Sequence, residues 1–169
     1  MAASLREKLI RHIDEVPLET ADRAPHYDGG RSGSVAGPRA GTVAAKLGAG
    51  VDIVPPGKRA CPYHFHYAQE EMFVILEGEG TLRVAGELIP IRAGDVIDIP
   101  PGPEYPHQIL NTSSAPLKYL SISTQEVPEI CEYPDSGKYL SFTRVKGALL
   151  EGGRMHRPET DLDYWDGEP

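Results

Sequence analysis

The segment CPYHFHYAQEEMFVILEG, Cys61 to Gly78, sets His64 and His66 one residue apart and follows them with the adjacent carboxylates Glu70 and Glu71. Residues i and i+2 of a β-strand project to one face, so the two imidazoles point together and can share one cation. Imidazole nitrogen with carboxylate oxygen suits a divalent transition metal such as Zn, Fe, Mn, Ni, Co or Cu. A third histidine, His107, stands on another extended segment further along. Four such ligands leave one or two positions of a six-coordinate ion open for water, dioxygen or substrate. The competing reading is a set of strand histidines hydrogen-bonded inside or at the mouth of a barrel. Periodicity does not choose between Glu70 and Glu71, because both faces of 71–77 are apolar. The other three of the six histidines, His12, His26 and His156, fall in a helix, an arm and a tail.

The elements that must position these side chains are short. Residues 4–16 read as one helix, with Ser4 and Glu7 forming an S-x-x-E capping box and Leu5, Leu9, Ile13 and Val16 on one face. Residues 17–40, rich in Gly, Pro, Ser and Ala, read as an irregular arm in which His26 and Tyr27 are surface residues. From Gly41 the candidates are strands at 41–47, 50–54, 62–67, 71–77, 80–84, 87–91, 95–99, 106–111 and 116–124, with a tight hairpin at Ala85-Gly86. That texture predicts an all-β sandwich or barrel, and no helical stretch intervenes to make βαβ units. An irregular stretch around Tyr133-Pro134-Asp135 leads to a last extended piece, Tyr139–Val145. The polar tail carries Trp165, expected to pack it onto the barrel or a second subunit. The expected organisation is therefore an N-terminal helix and arm (1–40), a barrel (41–124), and a C-terminal extension (125–169) on the barrel or a partner subunit.

Composition excludes several function classes. The 169 residues include 25 acidic and 17 basic side chains, a net charge of -8, whereas a nucleic-acid binder presents a basic face. No apolar run approaches the roughly 20 residues that span a bilayer. The N-terminus has no signal-peptide core, so a cytoplasmic location is expected. Cys61 and Cys131 form no CxxC pair, and no disulfide between them is expected; Cys61, near the histidines, reads as a small buried or half-buried side chain, against the alternative of a ligand or redox role.

The wider pattern resembles the two motifs of the cupin superfamily. The first motif, glycine, H-x-H, glutamate and a glycine six residues on, is filled by Gly57, His64, His66, Glu71 and Gly78. The second, glycine, P-x-G, histidine and asparagine, is filled by Gly94, Pro100, Gly102, His107 and Asn111, with four residues between Gly102 and His107 where two are usual. The resemblance covers roughly 41–124 and implies a double-stranded β-helix, or jelly-roll barrel. It implies His64, His66, Glu71 and His107 as metal ligands, so that Glu71 rather than Glu70 looks inward. Phe73 and Ile75 would then line the cavity, and Tyr63, Phe65 and Tyr67 would face outward, toward the second sheet edge or a partner subunit, in a packing role. Arg59 and Tyr105 are further candidates for substrate contact, and Lys58, Arg92 and Lys118 for a phosphate. The superfamily implies either an enzyme on a small polar metabolite or a non-catalytic binding or sensor barrel. The enzyme would be a sugar or sugar-phosphate isomerase or an Fe(II) oxygenase. A storage protein fits a single acidic barrel poorly. A homodimer is expected.

Overall fold

The computed structural model describes residues 4–21, 23–143, 153–158 and 162–168. Helix α1 covers only Leu5–Leu9. Its capping box forms as expected, with Ser4 N–H donating to Glu7 Oε2 at 2.7 Å and Glu7 N–H to Ser4 Oγ at 3.2 Å. The helix does not run on to Val16 because its apolar stripe has little to bury against: Leu5 is 74% and Leu9 61% exposed. A helix this short draws its stability from packing rather than propensity.

The rest of the described chain is built from short strands. The arm is not irregular throughout: β1 (Glu19–Thr20) and β2 (Arg31–Ala36) lie within it, and β2 pairs antiparallel with β3 (Leu47–Val54). The strand expected at 41–47 is absent, and turns lead directly into β3. There follow β4 (Phe65–His66), β5 (Glu71–Glu77), β6 (Glu79–Val84), β7 (Glu87–Arg92), β8 (Val96–Ile99), β9 (His107–Leu110) and β10 (Leu117–Thr124). The C-terminal extension adds β11 (Glu129–Tyr133), β12 (Lys138–Phe142) and β13 (Arg154–His156). Residues 144–145 of the expected last extended piece lie outside the described residues. Trp165 is 71% exposed and meets Tyr164 edge-on.

One sheet has the order β1-β2-β3-β10-β5-β8, a second β7-β6-β9, and a third β13-β12-β11-β4. The second and third are stitched together by reciprocal backbone hydrogen bonds between His64 and His107, of 3.1 and 2.8 Å. Val54, Phe73, Ile75, Ile99, Leu117 and Tyr119 from the first sheet pack against Leu82, Ile91 and Ile109 from the second. This is the all-β jelly-roll architecture. Strand pairing continues past both ends of the 41–124 segment, through β2 and through β11.

Alternation along β5 places Phe73 and Ile75 inside, 6% and 1% exposed, while Met72 stays 39% exposed. Glu71 shares their face, which sets it opposite the inward Ser123 of β10. Gly78 makes the turn into β6 at φ 84°, and a Cβ there would lie 2.6 Å from the Pro116 carbonyl oxygen. No side chain fits at that point. At the Ala85-Gly86 hairpin both residues have positive φ, 49° and 86°, the type I′ geometry that Asn-Gly prefers. Exposed Ala85 is therefore strained. The Ala85→Asn variant is expected to be stabilised by about 0.5–1 kcal/mol, read as a higher denaturant midpoint; an unchanged or lower midpoint contradicts this.

Candidate metal centre

Three strands and the residue ahead of β4 bring four side chains around one carboxylate oxygen. His64 precedes β4, His66 ends it, Glu71 opens β5 and His107 opens β9. The Nε2 atoms of His64, His66 and His107 lie 3.7, 3.6 and 2.9 Å from the same oxygen, Oε2 of Glu71. His107 is 1% and His64 8% exposed.

The outer ring nitrogens explain why the inner ones are bare. His64 Nδ1 lies 2.8 Å from the Pro62 carbonyl oxygen, and His107 Nδ1 lies 3.2 Å from that of Tyr105. A carbonyl only accepts, so each Nδ1 carries a proton, and a ring without a second proton turns its Nε2 lone pair inward. At 2.9 Å, the His107 Nε2 and Glu71 Oε2 lone pairs then face each other. Both atoms are buried and lack a hydrogen-bond partner. Two acceptors in that position repel unless a proton or a metal ion lies between them, and imidazoles whose Nδ1 atoms are committed to carbonyls fit a metal ion at Nε2. Burial by itself would raise the Glu71 carboxyl; with protonated imidazoles, His107 donating to it, it would be held at about 2 instead. Burial pushes His64 down to about 4. His66 goes the other way, because the carboxylates of Glu129 and Glu71 outweigh its burial.

Among the described residues, two groupings of ligand atoms could hold an ion: His64, Glu71 and His107, and, one strand over, His64, His66 and Cys131. Cys131 was not foreseen here. It lies opposite His66 in the β11–β4 register, and the alternation of β11 turns Glu129, Cys131 and Tyr133 to the same side. Glu129 and Cys131 are buried, and Tyr133 stacks on the His64 ring at 6.0 Å. The signal was present in the sequence as E-x-C-x-Y at a period of two, in a stretch read as irregular. Both cysteines are free, and burial pushes the Cys131 thiol up to about 12.

The chain matches the family described as Cupin domain over residues 50–123. That segment holds both histidine motifs and Glu71. This chain carries a cupin domain. Over 71 residues it is 42% identical to an uncharacterised protein of Methanocaldococcus jannaschii, covering 42% of this chain and 54% of that protein. Over 69 residues it is 36% identical to an oxalate-binding protein of Thermotoga maritima, covering 41% and 54%. The match thus spans about half the length of these curated relatives. A sugar phosphate isomerase of the cupin superfamily from Silicibacter pomeroyi superposes with a TM-score of 0.72 at 22% identity, over 90% of this chain and 96% of that one. At that identity the likeness concerns the fold.

Within the cupin domain the remaining expected site residues are placed unequally. Phe73 is at the centre, its ring 5.6 Å from that of His107. Ile75 lies deeper, in the apolar core. Tyr105 is 46% exposed, and only its carbonyl oxygen reaches His107. Arg59 lies 5.9 Å over the Tyr27 ring, pairs by backbone with Leu110 and donates its backbone N–H to the His26 carbonyl. Two of the candidate phosphate groups are already engaged: Lys58 with Asp28, and Lys118 with Asp14 and Glu77. Tyr63 and Phe65 are packed, 6% and 5% exposed: the Arg83 guanidinium covers Tyr63 at 3.8 Å and β11 pairs alongside Phe65. Only Tyr67 of that trio is exposed.

One inward acid outside both motifs is perturbed. Asp52 of β3 sits opposite Tyr119 and accepts a hydrogen bond from Ser121 Oγ at 3.1 Å. Burial raises its carboxyl to about 6 against that hydrogen bond, and the charge of Glu71 adds to the rise. Asp52 and Ser121 also border a cavity of about 1190 Å³ under the N-terminal arm, which none of the four clustered side chains lines. Among the described residues, no helix is long and apolar enough to cross a membrane.

Proposed function

We propose that His64, His66, Glu71 and His107 hold a divalent transition metal, and that the centre takes a small oxygen-rich metabolite as a sugar or sugar-phosphate isomerase does. The observation that carries this is the meeting of three inward Nε2 atoms on one carboxylate oxygen, with His107 Nε2 and Glu71 Oε2 left buried and unpartnered. A bound divalent ion would supply Lewis acidity toward a carbonyl or an enediolate. The protein's part is to hold the rings in the Nδ1–H form and to keep water off one side with the Phe73 ring. Tyr133, stacked on His64 and kept protonated chiefly by its burial, offers a hydroxyl beside the same ring. The fold shared with the sugar phosphate isomerase supports this reading.

A second reading is a non-catalytic binding barrel. The relative described as an oxalate-binding protein favours it, because oxalate and a hydroxy-carbonyl fragment both offer two neighbouring oxygens to one ion. One experiment separates the readings. Metal content is measured on protein purified without added metal, and then calorimetric titrations with oxalate and with an aldose phosphate are run alongside an isomerisation assay. Near-stoichiometric metal with turnover supports the enzyme, and metal with oxalate binding but no turnover supports the binding barrel. Protein that neither retains nor takes up zinc, manganese, iron or nickel refutes both.

A further inference from the structure

His66 differs from the other two histidines in what stands behind its ring. His64 and His107 each turn Nδ1 to a main-chain carbonyl, whereas His66 Nδ1 has no hydrogen-bond partner and faces a carboxylate, Glu129 Oε1, at 3.5 Å. The Glu129 side chain is 0% exposed. A buried carboxylate needs hydrogen bonds in place of water, and this one receives three from consecutive backbone amides: Tyr67 N–H to Oε1 at 3.0 Å, then Ala68 and Gln69 N–H to Oε2 at 3.1 and 2.8 Å. Those amides belong to the segment that joins His66 to Glu71. One side chain therefore fastens the link between two of the four clustered residues and presents a charged acceptor to the ring of one of them. Glu129 lies on β11, in the C-terminal extension and beyond the 50–123 match.

We infer that Glu129 is a positioning residue of the metal centre, holding His66 in its Nδ1–H form with Nε2 turned to the ion; this rests on the metal reading above. A carboxylate is a stronger acceptor than a peptide carbonyl. An approach of about 0.5 Å brings Nδ1 and Oε1 to ordinary hydrogen-bond length. The cupin domain then depends on a strand outside its two motifs to complete its site.

The test compares zinc affinity, by competition with a chromophoric chelator, in the wild-type chain and in Glu129→Gln. The imidazole nitrogen and proton resonances of zinc-loaded, histidine-labelled protein are recorded in both. The expected result is a 10–100-fold loss of zinc affinity in the variant, with unchanged far-ultraviolet dichroism and loss of a slowly exchanging His66 Nδ1 proton. Zinc affinity within twofold of wild type, with faster amide exchange only at residues 67–69, would make Glu129 a loop clamp and overturn the inference. Should the variant fail to fold, the wild-type resonances decide: a His66 Nδ1 without a bound proton in the zinc form also overturns it. A wild-type chain that binds no zinc refutes the metal reading itself, a different failure from zinc binding that ignores Glu129.

Discussion

Replacing Glu71 with glutamine is expected to cost the protein its metal while leaving the barrel folded. Glu71 is the one point that all three imidazoles approach, within 2.9–3.7 Å of a single oxygen. It is also the only anion aimed at that point from the two motifs. Structural zinc sites bind with roughly 10–16 kcal/mol shared over four ligands, so removing the charged one costs about 3 kcal/mol or more. That is an affinity loss of at least about 100-fold. The amide is close in shape, and its NH2 can donate to the facing His107 Nε2, which relieves the lone-pair conflict of the empty centre. The metal-free variant should therefore unfold no earlier than the metal-free wild type. Elemental analysis after dialysis checks the first expectation and thermal melts in chelator check the second. Metal retained at the wild-type level would remove Glu71 from the ligand set and shift attention to the neighbouring grouping with Cys131.

What was legible beforehand followed from local rules. H-x-H obeys strand alternation, and the turn residues Gly78, Ala85 and Gly86 stand where the chain takes positive φ. The helix was overextended because a periodic apolar stripe says nothing about whether a surface exists to receive it. Leu5 and Leu9 have none, and the chain turns away. Tyr63 and Phe65 are covered more fully than the sequence shows, for a related reason. Alternation puts them opposite His64 and His66, but it cannot show that Arg83 and a returning strand will cover that opposite face. Glu129 was missed because its role is non-local. Sixty positions separate it from Gln69, whose amide it caps, and no periodicity links residues so far apart. The side chains projected by one short segment are read easily from sequence. Those brought in by β11 become visible only once the strands are paired.

Asp52 leads to the second large effect, with a sign opposite to that expected for a hydrogen-bonded carboxylate. Its hydrogen bond from Ser121 is outweighed by burial and by the nearby charge of Glu71, so its carboxyl rises from 3.8 to about 6 in the folded protein. A folded-state pKa above the unfolded value means that the native state binds the proton more tightly. The resulting stability is fully present below about pH 3.8 and is lost as the pH rises through about 6. At neutral pH the ionised Asp52 is therefore a destabilising group, on the order of 3 kcal/mol at about 1.4 kcal/mol per tenfold change in proton affinity. Asp52→Asn removes the charge and keeps an acceptor for Ser121. Allowing for burial of the amide, the variant is expected to be more stable than wild type by about 2 kcal/mol at pH 7.5. In a chain of this size that raises the melting temperature by about 4–8 °C. The advantage should shrink steadily on acidification and nearly vanish close to pH 4, where the wild-type carboxyl is protonated when folded. Melts of the metal-free pair at pH 7.5, 6, 5 and 4 give the comparison. A variant that is less stable at pH 7.5, or an advantage independent of pH, would show that Asp52 is not held in its neutral form by the fold. The pH-dependent result would identify an acid with a near-neutral pKa on the inner face of β3, on the same face of the sheet as Glu71.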